Sequence, residues 1–195
     1  MKRTTPIDYE LSFNSLSERD FTDMLVLHHT GNPYDDDCGA VEIHESHLGQ
    51  GWAGIGYHFV IRKDGTVELG RPVDCIGSHA YGENSHTVGI HLCGNFEEAE
   101  PTAAQIESTA MLIADLAEDY NLEINTDTVV GHRDLMATAC PGARLYAIID
   151  IVRGKAIWYL QKPLHVELRT ICIALFLIQP EYGGERGAWI CTILS

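Results

Sequence analysis

The sequence predicts an α/β (α+β) protein in which helices flank a central mixed β-sheet. Short apolar runs of strand length occur at 24–28, 87–93 and 128–131. Two long stretches near the middle and end of the chain place apolar residues at helical spacing instead. Because strands and helices mix without strict alternation, a mixed sheet covered by helices is the natural packing.

After the first strand, the pattern predicts a helix and then a hairpin. Asp37 is a plausible N-cap for a helix over Cys38–Leu48. The segments Gly56–Arg62 and Thr66–Leu69 alternate like paired strands. They flank Asp64-Gly65, a pair that favours a tight turn, so the two segments predict a β-hairpin.

The second half of the chain predicts two strands and two helices. Apolar residues alternate along Thr87–Cys93, and 128–131 forms the last short strand. Thr102 and Gln105 fit a capping box that opens the clearest helix. The final helix is expected over Pro141–Tyr159, because proline is well placed in a first helical turn.

The chain divides by composition into three parts. Residues 1–21 are polar and mixed, which predicts a loosely packed N-terminal arm, and 22–162 form a single folded domain. Residues 163–195 form an apolar tail that includes a run at 171–178, which is too short to span a bilayer. The tail either adds strands or a short helix to the domain or is a poorly ordered, aggregation-prone segment.

Charge and cysteine content limit the possible functions. The 195 residues include 28 acidic and 13 basic side chains, for a net charge of -15. Such a protein is repelled by phosphate, so neither nucleic acids nor anionic membranes are expected partners. The six cysteines do not resemble a disulfide framework. No secretory signal is visible, which predicts cytoplasmic synthesis, and we expect a monomer.

Three residues suggest a metal site. His28 and His132 each end a predicted strand, and Cys140 follows eight residues after His132. If the strands are neighbours, both imidazoles emerge at one sheet edge. Two imidazoles and a thiolate suit zinc (Zn²⁺), and three protein ligands leave the fourth tetrahedral position open, as in catalytic sites. A helix beginning near Cys140 would lower the pKa of its thiol.

A longer set of motifs carries a family resemblance. In chain order these are Leu27-His28-His29-Thr30, Gly51-Trp52, Gly56-Tyr57-His58-Phe59, Asp64-Gly65-Thr66-Val67, Gly70-Arg71, Gly77-Ser78-His79-Ala80, Asn84, Val88-Gly89-Ile90, Gly131-His132-Arg133-Asp134 and Ala139-Cys140-Pro141-Gly142. Over residues 22–160 the chain resembles the zinc-dependent N-acetylmuramoyl-L-alanine amidases. That family type is shared by phage lysozyme-amidases, peptidoglycan recognition proteins and bacterial anhydromuramoyl-peptide amidases.

The resemblance implies a zinc site and a reaction. His28, His132 and Cys140 would be the ligands, with His29 as the alternative to its neighbour. Zinc would activate water to hydrolyse the amide bond between N-acetylmuramic acid and L-alanine of peptidoglycan. Tyr57 and Thr138 would stabilise the oxyanion. In the family the position of Thr138 holds lysine or threonine, and threonine offers only a hydrogen bond.

Four further residues match groove positions of the family. His79 and Asn84 would face the substrate, although hydrogen bonds within the loop are an equal alternative. Trp52 would stack on sugar or pack locally, and Arg71 would bind a peptide carboxylate or form a local ion pair.

Three functions follow from these residues. The first is the amidase acting on peptidoglycan or muropeptide, and the second is a recognition module that binds muropeptide without cleaving it. The third is a structural zinc domain, which would need a fourth protein ligand. For the amidase, both an endolysin released to act on the cell wall and a cytoplasmic recycling enzyme fit the sequence.

Overall fold

The computed structural model describes residues 3–161, which contain one five-stranded sheet. Its strands are β1 (Met24–His29), β2 (Phe59–Ile61), β3 (Val67–Leu69), β4 (Thr87–Leu92) and β5 (Val129–Gly131), in the order β3-β2-β4-β1-β5. Only the β2–β3 hairpin is antiparallel, and the other neighbours are parallel. The predicted mixed sheet is therefore confirmed. The apolar tail, 163–195, lies outside the described residues.

Helices flank the sheet, as the sequence predicts. They are α1 (Ala40–Gly49), α2 (Ala103–Tyr120), α3 (His132–Leu135), α4 (Ala143–Ala147) and α5 (149–161). The capping box of α2 is present, with the Gln105 N–H donating to Thr102 Oγ1 over 3.0 Å. Across residues 3–161, no helix is both long enough and apolar enough to cross a membrane.

Two helix predictions are wrong in detail. The N-cap of α1 is Gly39, because Asp37 instead accepts a hydrogen bond from the Lys63 N–H and pairs with Arg62. The last predicted helix is interrupted at Ile148, between α4 and α5. The spacing of buried residues continues across this interruption, so the sequence pattern does not reveal it.

Both faces of the sheet are covered. The larger core packs one face against α2 and α5, and its buried members include Leu25, Leu27, Ile90, Ile113 and Val152. A smaller cluster lies on the other face with α1 and comprises Ala40, Ile43, Ile55, Val60 and Cys93. As a result, every residue of the central strand β4 is buried, including its polar members.

The N-terminal arm is held more firmly than its composition predicts. Ile7 pairs with the outer edge of β3, where the Leu69 N–H donates to the Ile7 carbonyl over 2.8 Å. The buried carboxylate of Asp115 in α2 accepts hydrogen bonds from the backbone N–H groups of Arg3 and Thr4. These contacts fix residues 3–7 of the arm to the folded domain.

Candidate active site

Three potential metal ligands meet at one edge of the sheet. His28 lies near the end of β1 and His132 directly follows β5, and these strands are parallel neighbours with Leu27 opposite Gly131. The loop after α3 returns Cys140 to the same place, with its Sγ 3.6 Å from Nδ1 of His28. Ligand atoms of the two histidines and the cysteine all lie within 4.8 Å of one another.

The donor set fits zinc. Nε2 of His132 is buried and has no hydrogen-bond partner among residues 3–161, which leaves one imidazole nitrogen for a metal to satisfy. Zinc bonds of about 2.0 Å to nitrogen and 2.3 Å to sulfur at tetrahedral angles separate the donor atoms by roughly 3.3–3.6 Å. The distance between Cys140 Sγ and His28 Nδ1, 3.6 Å, meets this requirement. No fourth His, Cys, Asp or Glu of the described segment joins the group.

The neighbouring histidine, His29, serves a different purpose. Successive residues of a strand point to opposite faces. The Nδ1 atom of His29 accepts the Phe96 N–H over 3.1 Å, and its ring stacks on that of Phe96. Of the two adjacent histidines, the structure therefore groups His28 with His132 and Cys140.

Both imidazoles are in the form that a metal needs. Burial lowers the pKa of His28 well below its usual value, and the neighbouring His79 and His132 lower it further. Burial also lowers the pKa of His132. Neutral imidazole is the metal-binding form, so neither ring has to lose a proton at neutral pH.

The thiol does not follow the sequence expectation. Burial raises the pKa of Cys140 to about 11, although the His29 N–H and the charge of Arg133 lower it in part. The nearest helix begins only at Ala143 and has five residues, so its dipole has little effect at the sulfur. The expected low pKa of Cys140 is therefore wrong for the metal-free protein, because desolvation outweighs the dipole.

Tyr57 and Thr138 each contact a member of the ligand group. The Tyr57 ring is 5.1 Å from the His28 ring, between centroids. Burial raises the pKa of the Tyr57 phenol, and the proximity of Cys140 raises it further, so the phenol keeps its proton and can donate a hydrogen bond. Thr138 Oγ1 accepts the Cys140 N–H over 3.2 Å, which leaves the hydroxyl hydrogen free for another acceptor.

A cleft of about 440 Å³ opens beside the ligand group. Tyr57 and His132 line its inner part, while Trp52, Tyr81 and Met136 contribute exposed side chains. Tyr81 is 90% exposed, and no sequence motif distinguishes this single aromatic residue of a polar loop. The cleft combines polar groups at the ligands with an apolar rim.

The loop residues His79 and Asn84 also border this cleft, but their contacts are mainly internal. Asn84 Oδ1 accepts the N–H groups of His79 and Ala80 over 2.8 and 2.9 Å, which is the loop-stabilising alternative. The His79 ring is buried, and its Nδ1 lies 3.0 Å from Nε2 of His28. The sequence did not predict this contact between two histidines 51 positions apart.

Arg71 and Trp52 also show local packing. The buried Arg71 guanidinium donates to the carbonyl oxygens of Ile55 and Ile76 over 2.9 and 2.8 Å. Backbone carbonyls therefore stabilise the Arg71 charge within the fold. They take the place of the acidic side chain that a local ion pair would require. The rings of Trp52 and His47 have their centroids 4.5 Å apart, and one side of the Trp52 indole remains part of the cleft wall.

Relatives of the chain were identified by sequence. A family model described as N-acetylmuramoyl-L-alanine amidase matches residues 18–143. The endolysin of Klebsiella phage KP32 is 37% identical over 130 residues, which is 64% of this chain and 83% of that protein.

Solved structures agree with these matches. The N-acetylmuramoyl-L-alanine amidase LysC from Clostridium intestinale URNW has a TM-score of 0.70 at 35% identity, covering 77% of this chain and 96% of that chain. The ectodomain complex of peptidoglycan recognition proteins LCa and LCx, with bound tracheal cytotoxin, gives a TM-score of 0.63 at 30% identity, covering 72% and 89%. With matching sequence over more than half of its length and the same mixed-sheet fold, the chain belongs to the N-acetylmuramoyl-L-alanine amidase family.

Proposed function

We propose that this protein is a zinc-dependent hydrolase that cleaves the amide bond between N-acetylmuramic acid and L-alanine in peptidoglycan. The convergence of His28, His132 and Cys140 beside an open cleft, within a chain of this family, carries the proposal. When bound, zinc lowers the pKa of a water molecule and polarises the scissile carbonyl.

The chain's own residues then have separate tasks. His28 through Nδ1, His132 and Cys140 would hold the metal, and the absence of a fourth ligand among residues 3–161 keeps space for the reacting groups. Tyr57 would donate a hydrogen bond from its phenol to the oxygen that becomes negative as the carbonyl is attacked. The free hydroxyl hydrogen of Thr138 supplies a second donor, weaker than a charged lysine.

Zinc-dependent cleavage is tested on a defined muropeptide. The purified protein is stripped with a chelator and then reloaded with zinc, and mass spectrometry follows release of the stem peptide with a free L-alanine amine. We expect cleavage after reloading only, and a large loss in Cys140→Ser. Cleavage that persists in the stripped protein would contradict the zinc dependence, whereas a reloaded but inert protein would contradict the amidase activity.

A second candidate function is recognition of muropeptide without cleavage. The similarity to a recognition-protein complex that contains tracheal cytotoxin favours this alternative. The ligand Cys140 and the protonated Tyr57 favour catalysis instead, because binding alone requires neither. Saturable muropeptide binding by the zinc-loaded protein, with no product over many hours, would establish recognition.

We further propose that the site acts on the cell wall after release from the cytoplasm, since endolysins of phages are among the relatives. Intact sacculi and a soluble anhydromuropeptide separate this role from recycling. Wall lysis predicts solubilisation of sacculi at a rate comparable to cleavage of the soluble fragment. Activity confined to the soluble fragment would instead assign the protein to recycling.

A further inference from the structure

His79, which is not among the proposed zinc ligands, contacts the ligand His28. His28 Nε2 and His79 Nδ1 lie 3.0 Å apart, and both rings are buried. The other ring nitrogen of His28, Nδ1, is the one that lies 3.6 Å from Cys140 Sγ. His79 therefore touches His28 on the side away from the ligand group.

Hydrogen bonds beyond His79 determine where its proton sits. Thr87 Oγ1 donates its only hydrogen to the Glu83 carbonyl over 2.8 Å. The same oxygen lies 3.4 Å from His79 Nε2, towards which it can only accept. An imidazole that donates its one N–H to this oxygen has its other nitrogen, Nδ1, unprotonated. The His79 proton is thus on Nε2, and its Nδ1 carries a lone pair directed at His28.

The protonation of His28 follows from that lone pair. A nitrogen 3.0 Å from an unprotonated nitrogen must carry the shared hydrogen, so His28 Nε2 is the N–H donor. With its N–H on Nε2, the His28 ring presents the lone pair of Nδ1 to Cys140 Sγ, 3.6 Å away. The series of bonds from Glu83 to His28 selects the tautomer that a metal requires.

The chain also leaves a closely fitted space for the His79 ring. A Cβ atom on Gly77 would lie 2.5 Å from His79 Cδ2, and one on Gly89 would lie 2.6 Å from the same atom. Any larger residue at either position would move the ring. The two glycines and the Asn84 bond to the His79 backbone therefore fix the distance to His28.

We propose that His79 is a positioning residue that orients His28 and fixes its metal-binding tautomer, with Thr87 fixing the tautomer of His79 in turn. This inference rests on the proposed zinc site and replaces direct substrate binding as the main role of His79. It predicts that zinc affinity depends more on a hydrogen-bond acceptor at the Nδ1 position than on the rest of the imidazole ring.

Matched variants of similar shape test the acceptor. The amide oxygen of His79→Asn can take the place of Nδ1, whereas His79→Leu fills the space without an acceptor. Zinc affinity is measured by competition with a chromophoric chelator, and circular dichroism checks the fold. We expect His79→Leu to bind zinc about 10- to 100-fold more weakly than the wild type, and His79→Asn to recover most of the loss. Equal affinities of the two variants would overturn the proposal.

A parallel pair tests the outer link. Thr87→Val removes the hydroxyl at nearly constant shape, and Thr87→Ser keeps it. We expect weaker zinc binding in the valine variant and near wild-type binding in the serine variant. Equal binding by these two variants would remove Thr87 from the series.

A direct reading of the tautomers does not depend on any variant. Nitrogen-15 NMR of the labelled, metal-free wild-type protein should place the hydrogen on Nε2 of both His28 and His79. A hydrogen on Nδ1 of either ring would overturn the inference. Failure of the proposed function would look different, because the wild-type protein would then bind no zinc or cleave no muropeptide.

Discussion

At the scale of single residues, the ligand group combines two neutral imidazoles with a protonated thiol. Burial produces both states, since it lowers the pKa of His28 and His132 and raises that of Cys140 to about 11. Burial disfavours the charged form of each group, whatever its sign. The sequence predicted the identity of the three side chains, but it could not predict their protonation, which depends on how deeply the folded chain buries them.

These protonation states predict how many protons leave when zinc binds. At pH 7.5 the two histidines have none to lose, whereas the Cys140 thiol releases one, so at least one proton per zinc is expected, and ionisation of a zinc-bound water would add to it. Between pH 7 and 9 the affinity should rise at least about tenfold per pH unit, because the thiolate fraction rises by that factor. Calorimetry in buffers of different ionisation enthalpy counts the protons. Release of none would show that the thiol is already ionised.

The phenol of Tyr57 gives a second prediction at this scale. Tyr57→Phe removes the donor and keeps the ring beside His28, so we expect turnover to fall by about 10²–10³-fold while zinc affinity stays within a few-fold of the wild type. Tyr34→Phe is a suitable control because Tyr34 is 82% exposed. Full turnover in Tyr57→Phe would exclude the phenol from the reaction.

At the scale of elements, the sequence was most informative where the signal is local. The hairpin at Asp64-Gly65 and the capping box at Thr102 both depend on residues close in the chain, and both are present. Asp37 was wrong as an N-cap because Lys63 and Arg62 engage it from a distant strand end. The contact between His28 and His79 was missed for the same reason, since it depends on the register of separate segments.

The capping box of α2 can be tested by stability. Thr102 Oγ1 accepts the Gln105 N–H and also donates to the Lys63 carbonyl over 2.7 Å. Thr102→Ala should therefore lower the free energy of unfolding by about 1–2 kcal/mol, and Thr102→Ser should lower it much less. Urea denaturation of both variants measures the difference. Equal stability would mean that the hydroxyl contributes nothing to the cap.

At the scale of the whole molecule, one buried carboxylate connects distant parts of the chain. Asp115 in α2 accepts the N–H groups of Arg3 and Thr4, and the Arg3 guanidinium also reaches the Tyr159 carbonyl over 2.8 Å. Helix α2, helix α5 and the N-terminal arm therefore meet at one point. The polar composition of the arm predicted loose packing. Composition cannot show that the buried Asp115 carboxylate accepts hydrogen bonds from the first residues of the arm.

This junction predicts a stability effect far from the cleft. Asp115→Ala should lower the free energy of unfolding by about 3 kcal/mol, because it leaves the Arg3 charge and two backbone donors without their buried partner. The exposed Asp20 provides the control in Asp20→Ala. Zinc affinity should not change in either variant. A destabilisation no larger than that of the control would contradict the role of Asp115.

The positions of the proposed ligands affect more than the reaction. His28 belongs to β1, an inner strand, whereas His132 and Cys140 follow β5, an edge strand of only three residues. An ion bound by all three side chains would link the edge strand β5 to the inner strand β1. Loss of the ion would then free β5 as well as stop hydrolysis. Protein molecules without the ion would therefore also be the first to be cleaved by proteases.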